Sequence, residues 1–248
     1  MTDELAKVDI DTTASEGPAA GYVDVMIPRL RSTFEVIAHL LVDGRIDEAV
    51  VLLRRQVEDG MRFHYLAENP DRADALVTGF TLGREKKVLS RMDKLLSDST
   101  ISDAAKAAIK DARKPRAKQV QLHLKLIKQQ EIESEAMPDF DELARKLDRV
   151  RDIVVYASAS EVAHSAQSGI TPAYATVEDD GVVLISTTSD SLLDAVGVAR
   201  PAVTSTAIAV ASALRIRGRD AEADRLLTAA VVIEKAMTKL RDELATDV

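Results

Sequence analysis

The sequence predicts an all-α protein, mainly a helical bundle, with one β-hairpin at about 173–186. Three observations carry this expectation. Of the 248 residues, 46% are hydrophobic but only 3% aromatic, with no Trp. A core of that kind is built from Leu, Val, Ile and Ala, which suits helix-on-helix packing. Apolar residues recur at three- and four-residue spacing along most of the chain, the period of a helix with one buried face. Between Tyr174 and Ser186, two β-prone runs instead flank Asp179-Asp180-Gly181, a hairpin turn signal.

Residues 1–20 are acidic and rich in small side chains, without a basic segment followed by an apolar run. They read as a mobile arm and not as a signal peptide. The first helix spans Tyr22 to Val42, with Val25, Leu30, Phe34, Ile37 and Leu41 on its inward side, and stops where Gly44 can take the left-handed conformation. A second runs from Asp47 to Glu68 with the stripe Ala49, Val50, Leu53, Val57, Met61 and His64. The residue before Pro70 resists helical geometry and ends it. Such short connections make antiparallel helical hairpins.

A third helix covers Asp71 to Leu96, and Ser97 to Thr100 turn the chain into a basic segment at 106–128 that is helical in propensity but interrupted at Pro115. Asp139 and Glu142 form an acidic capping box. They open a helix whose stripe is Phe140, Leu143, Leu147, Val150, Val154 and Ala157, ended by Gly169 and Pro172. After the hairpin come an apolar helix from Asp190 to Leu214, with Pro201 kinking it or starting its second half, and a last helix from Ala221 to Leu244. Residues 21–248 read as one domain. Gly44-Arg-Ile-Asp-Glu-Ala49 and Gly218-Arg-Asp-Ala-Glu-Ala223 share one form, which reads as two similar corners of a bundle.

Several function classes lose support. Without Cys there is no disulfide, iron–sulfur or thiolate zinc site, in keeping with a cytoplasmic protein. Val196 to Leu214 is apolar enough to resemble a membrane span, yet it holds Arg200, Pro201 and several hydroxyls. It reads as a buried central helix, so no membrane partner is expected. Walker, Gly-x-Ser-x-Gly and dinucleotide motifs are missing. The four histidines make no His-x-x-x-His pair, and Glu161-x-x-His164 occurs once, so neither metal nor cofactor is expected.

Net charge is −8, yet eight basic residues face one acid between Lys106 and Lys128. Lys110, Arg113, Lys114, Arg116 and Lys118 are the candidates for contacting RNA or another phosphate-bearing ligand. The same run reads first as a solvated helix face, and it lacks aromatic residues for base stacking.

The most pointed candidate site starts from Tyr156, Ser160 and His164, four residues apart on one helix face. Extending the stripe of Val150, Val154 and Ala157 forward points Ser160 and His164 inward, where they need partners. His164 falls in the last turn, where the helix dipole favours its charged form. On the second helix Arg54, Glu58 and Tyr65 form a row beside the apolar stripe that His64 continues. If the two helices are neighbours, Arg54, Glu58, Ser160 and His164 form a catalytic or structural polar cluster, with Tyr65, Tyr156 and His64 as ligand contacts.

On these residues the chain resembles an uncharacterised bacterial helical family, a domain of unknown function. Members carry Leu-x-Arg-x-x-x-Glu followed by an aromatic and an Asn/Asp-Pro break, matched here by Arg54, Glu58 and Asn69-Pro70, and a later Tyr-x-x-x-Ser-x-x-x-His, matched by Tyr156, Ser160 and His164. The resemblance covers Thr33 to Ser168 and implies an all-helical fold with no established activity. A wider similarity is to HEPN domains, helical bundles that often form homodimers and cleave RNA without metal, with an Arg and a His four to six residues apart, in toxin or phage-defence pathways. Here Arg31 and His39, Arg55 and His64, and Arg151 and His164 are separated by seven, eight and twelve residues. A nuclease built on this resemblance needs Arg54 and His164 brought together across helices, with His164 as general acid/base. The other expectation is a binding or regulatory module.

Overall fold

A computed structural model describes residues 17–129, 131, 133–163, 175–177, 183–185 and 192–246. The fold is all-α. The described residues form helices α1 (Pro18–Val42), α2 (Ile46–Glu68), α3 (Ala73–Ser97), α4 (Asp103–Gln129), α5 (Phe140–Lys146), α6 (Arg151–Ala163), α7 (Leu192–Ile216) and α8 (Asp220–Thr246). Two three-residue segments, β1 (Ala175–Val177) and β2 (Val183–Ile185), pair antiparallel with Thr176 opposite Leu184. The turn between them lies outside the described residues.

The two Gly-Arg corners are built alike. Gly44 and Gly218 take φ of +68° and +70°, a conformation that only glycine adopts without strain. At the first, Arg45 N–H donates to the Leu40 carbonyl at 2.8 Å, and at the second Arg219 N–H donates to Leu214 at 2.9 Å, closing each preceding helix in the same way. Each arginine then pairs with the acid three residues on, Arg45 with Glu48 at 2.8 Å and Arg219 with Glu222 at 2.6 Å. Both corners follow a 25-residue helix that carries an internal proline, Pro28 in α1 and Pro201 in α7.

Contacts cluster in two units: residues 23–70 with 139–246, and residues 17–22 with 71–138. The boundaries at 70 and 138 both fall on proline. In the first unit α2 is the central element, burying Leu53, Val57, Met61, Phe63 and Leu66. It packs against α7, where Ala, Ser and Thr fill most of the buried positions. Small residues let the two backbones close up: a Cβ on Gly60 would lie 3.0 Å from the Ser205 carbonyl oxygen. A polar knot sits inside this packing. Gln56, 1% exposed, donates to the Leu30 carbonyl at 3.1 Å and to the Thr206 hydroxyl at 2.8 Å. One amide thereby links α1, α2 and α7 and leaves little buried polarity unmatched.

In the second unit α3 packs on α4. Helix α4 continues through Pro115, correcting the expected interruption. Arg113 reaches Asp93 at 2.6 Å and Arg116 reaches Glu85 at 3.0 Å on α3. These pairs flank the proline and hold both halves of α4 to one neighbour. Glu135 N–H donates to the Ala75 carbonyl at 2.9 Å, and its carboxylate pairs with Arg72, so the segment leading to Pro138 is laid along α3.

Three further expectations change. Helix α1 starts at Pro18, with Ala19 and Ala20 buried, so the last residues of the expected arm are helical. Val25, assigned inward, is 72% exposed. Most consequential is the helix opened by Asp139. That residue caps α5 as expected, accepting from Glu142 N–H at 2.9 Å. Asp148 then takes φ +52°, and a separate helix begins at Arg151. The break resets the phase: Val150 and Val154 are 54% and 67% exposed, whereas Ala159 is 1% exposed. The stripe used to project Ser160 inward is therefore largely a solvent face.

Helix α7 runs unbroken through Pro201. By length and composition it is apolar enough to cross a membrane, and 56% of its most apolar window is buried within the protein.

Candidate functional site

The row beside the apolar stripe of α2 faces α5 and α6. Arg54 donates from Nη2 to the Tyr156 hydroxyl at 3.0 Å, with its guanidinium carbon 5.0 Å from the centre of that ring. Phe140 stacks on Tyr156, centroids 4.1 Å apart at 23°. Both rings thus make an aromatic shelf held by the cap of α5 and the first turns of α6. Farther along α2, Lys146 lies 5.7 Å from the centre of the Tyr65 ring and pairs with Glu142 at 2.8 Å. Glu142 raises the ammonium pKa above its ordinary value.

Glu58 turns to its own helix. It pairs with Arg62, and at 3.9 Å with Arg55. The same two arginines hold the buried Asp59, Arg55 at 2.9 Å and Arg62 at 3.0 Å. Four charges thus satisfy one another along α2, which is how a carboxylate survives in an apolar seam. The half-buried Ser160 donates to the Tyr156 carbonyl at 2.7 Å, a bond within its own helix. His164, the fourth member of the expected cluster, lies outside the described residues.

A second polar group gathers where α2 ends and α6 begins. His64 is half-buried, with Nε2 3.8 Å from Glu68. Burial holds its imidazole pKa below the ordinary value, and the nearby Arg149 guanidinium lowers it further. Arg149 pairs with Asp152. Burial lowers the pKa of this arginine and raises that of the acid, the latter against the pull of Arg149. Arg54 Nε, His64 Nδ1 and Arg149 Nη1 are buried nitrogens without a hydrogen-bond partner, and Asp152 Oδ2 meets Arg149 without hydrogen-bond alignment. Among the described residues, every buried side-chain polar atom left unpartnered lies on this α2–α6 seam. Buried donors are normally satisfied, so a cluster of exceptions marks a place for a ligand or ordered water.

Arg149 and Asp152 escaped the sequence reading because it ran one helix through residues 148–150. Their three-residue spacing across a helix start was the available signal. In the second unit, Lys110, Lys114 and Lys118 are exposed at four-residue intervals on α4, with Lys114 3.6 Å from Asp111. Arg113 and Arg116 are engaged with Asp93 and Glu85, and the Arg113 guanidinium holds the Asp93 carboxyl below its ordinary pKa. One Arg–His pair with the four-to-six spacing was passed over: Arg116 and His123 have six residues between them. Arg116 is in its ion pair, and His123 is exposed. No group of three or more potential metal ligands stands together among the described residues.

A model described as a family of unknown function, DUF5677, matches residues 22–182. The chain belongs to this family. The DUF5677 stretch takes in α2, α5 and α6, and with them Arg54, His64, Arg149, Asp152 and Tyr156, whereas α7 and α8 lie beyond it. No curated protein and no solved structure matches the chain.

Proposed function

We propose that this DUF5677 protein is a binding module whose ligand lies on the α2–α6 seam and carries phosphate or a similar acceptor-rich group. The observation that carries the reading is the set of unpartnered buried nitrogens on Arg54, His64 and Arg149. Each unmet buried polar atom costs about 1–3 kcal/mol, which an acceptor-rich ligand relieves at the two guanidiniums. The Phe140–Tyr156 shelf adds a flat apolar surface beside Arg54. The test is calorimetric titration of the full chain with AMP and with inorganic phosphate. Binding weakened about tenfold or more in Arg149→Met and Arg54→Met supports the seam. Heats that are absent, or unchanged in both variants, refute it.

A second reading concerns α3 and α4. Between Arg84 and Lys128, thirteen basic residues face five acidic ones in a protein of net charge −8. Lys110, Lys114 and Lys118 provide a phosphate-contacting face for RNA. Three such contacts predict a log–log salt slope of about −2 to −3 in fluorescence anisotropy with a labelled RNA 20-mer, lost in the triple Lys→Gln variant. The ribonuclease reading is tested alongside it. Cleavage of total RNA in the presence of chelator, abolished by His164→Ala, favours a nuclease, and intact RNA at every salt concentration counts against one.

A further inference from the structure

A cavity of about 340 Å³ opens between α6, α7 and α8, with Val57 of α2 among its lining residues. It is separate from the Arg54–Tyr156 contact. Its size lies at the lower end for small-molecule sites. The lining divides by chemistry. Val57, Val155, Val196 and Pro201 give an apolar side, and Val57 and Val196 are buried even with the cavity empty. Three guanidiniums, Arg151, Arg200 and Arg241, face two carboxylates, Asp152 and Glu234, an excess of one positive charge.

These arginines are not equally occupied. Arg241 is hydrogen-bonded to its neighbour Asp242 at 2.6 Å. Arg200 lies 3.6 Å from Glu234, beyond hydrogen-bond length. Arg151 makes no ion pair or hydrogen bond among the described residues. Two forked donors are thus available to an oxyanion, which a guanidinium grips through paired N–H bonds. Pro201 has no N–H to give the Gly197 carbonyl in the helix turn beside the cavity. A Cβ on Gly197 would meet no atom within 4 Å, so that side of α7 stands open. Ser205, 3% exposed, lines the same space.

We infer that this cleft binds a small amphipathic anion, with a carboxylate or phosphate-monoester head on Arg151 and Arg200 and a short apolar body against Val57, Val155 and Val196. The excess of one positive charge selects the head group, and the valine side selects a tail. A cationic amphiphile of equal length is rejected by the same guanidiniums. Arg200 and Arg241 lie outside the DUF5677 stretch and Arg151 within it, so the site needs α7 and α8 in addition to the family segment.

The experiment is NMR titration of the isotope-labelled full chain with hexanoate and hexyl phosphate, using acetate and hexylamine as controls. Saturable shifts on α6, α7 and α8 are expected for either hexyl anion or both, and the stronger arm names the head group. Acetate is expected to bind at least about tenfold more weakly, because it buries almost no apolar surface. Arg151→Ala, an exposed site that leaves the core intact, and Arg200→Gln are each expected to weaken binding by about tenfold. The shifts on α7 and α8 persist in Arg54→Met, which separates this site from the seam. The inference is overturned if neither hexyl anion saturates at millimolar concentration, if hexylamine binds equally well, or if both arginine variants bind like the wild type.

Discussion

Arg54 and Tyr156, 102 residues apart in the chain, meet through a 3.0 Å hydrogen bond and a cation–π contact at 5.0 Å. The pair fastens α6 to the central helix and sets one end of the seam. Tyr156→Phe keeps the ring and its stacking on Phe140 but removes the acceptor. It is expected to cost about 1 kcal/mol in urea denaturation. A double-mutant cycle with Arg54→Met should return a coupling of about 0.5 kcal/mol or more, and additivity would show that the contact contributes nothing.

Gln56 is a more severe case, because its amide lies in the packed interior between α1, α2 and α7. Gln56→Leu is similar in volume yet strips the Leu30 carbonyl and the Thr206 hydroxyl of their donor. A loss of about 1–3 kcal/mol is expected, read as a lower urea midpoint at unchanged m-value.

Two helical glycines make a contrasting pair. Gly60→Ala drives a methyl to 3.0 Å from the Ser205 carbonyl oxygen, and α2 and α7 must move apart at a cost of about 1–3 kcal/mol. Gly83→Ala on α3 meets nothing within 4 Å. It is expected to be neutral or to stabilise by about 0.5–1 kcal/mol through helix propensity. Thermal unfolding of both variants checks the contrast, and equal shifts would remove the argument for close approach at Gly60.

The seam also predicts a pH response. Burial and Arg149 keep His64 neutral in the folded protein to lower pH than in the unfolded chain, where the ordinary value is 6.5. As pH falls through 6.5 the unfolded chain takes up a proton that the native state does not, so stability declines. Asp152 acts at lower pH with the opposite sign. Its folded carboxyl protonates above the ordinary value of 3.8, so the native state takes up that proton first and regains stability there. Denaturation of wild type and His64→Gln between pH 7.5 and 5.5 checks the first effect. The variant is expected to show the shallower dependence.

Helix existence and type were legible throughout, because three- and four-residue apolar spacing is a local property of each segment. So were the two Gly-Arg corners and the Asp139 cap, whose hydrogen bonds join residues at most five apart. Pro115 was misread because local sequence shows the missing N–H but not the ion pairs to α3 that hold the helix on either side. The candidate site was harder. The apolar stripe of Val150, Val154 and Ala157 was read as one phase with Phe140 and Leu143. The left-handed turn at Asp148 shifts that phase and sends Val150 and Val154 to solvent.

The sequence by itself determined the helical class, most element boundaries to within a few residues, and the row of Arg54, Glu58 and Tyr65 on α2 beside the stripe that His64 continues. Only the tertiary structure decided which members of that row find partners. It turned Glu58 along its own helix, set Arg54 on Tyr156, and placed His64 near Arg149. It also opened the cleft between α6, α7 and α8. The reason is physical. Helical periodicity is written every few residues, whereas the partner of a buried charge depends on the phase and packing of helices a hundred residues apart.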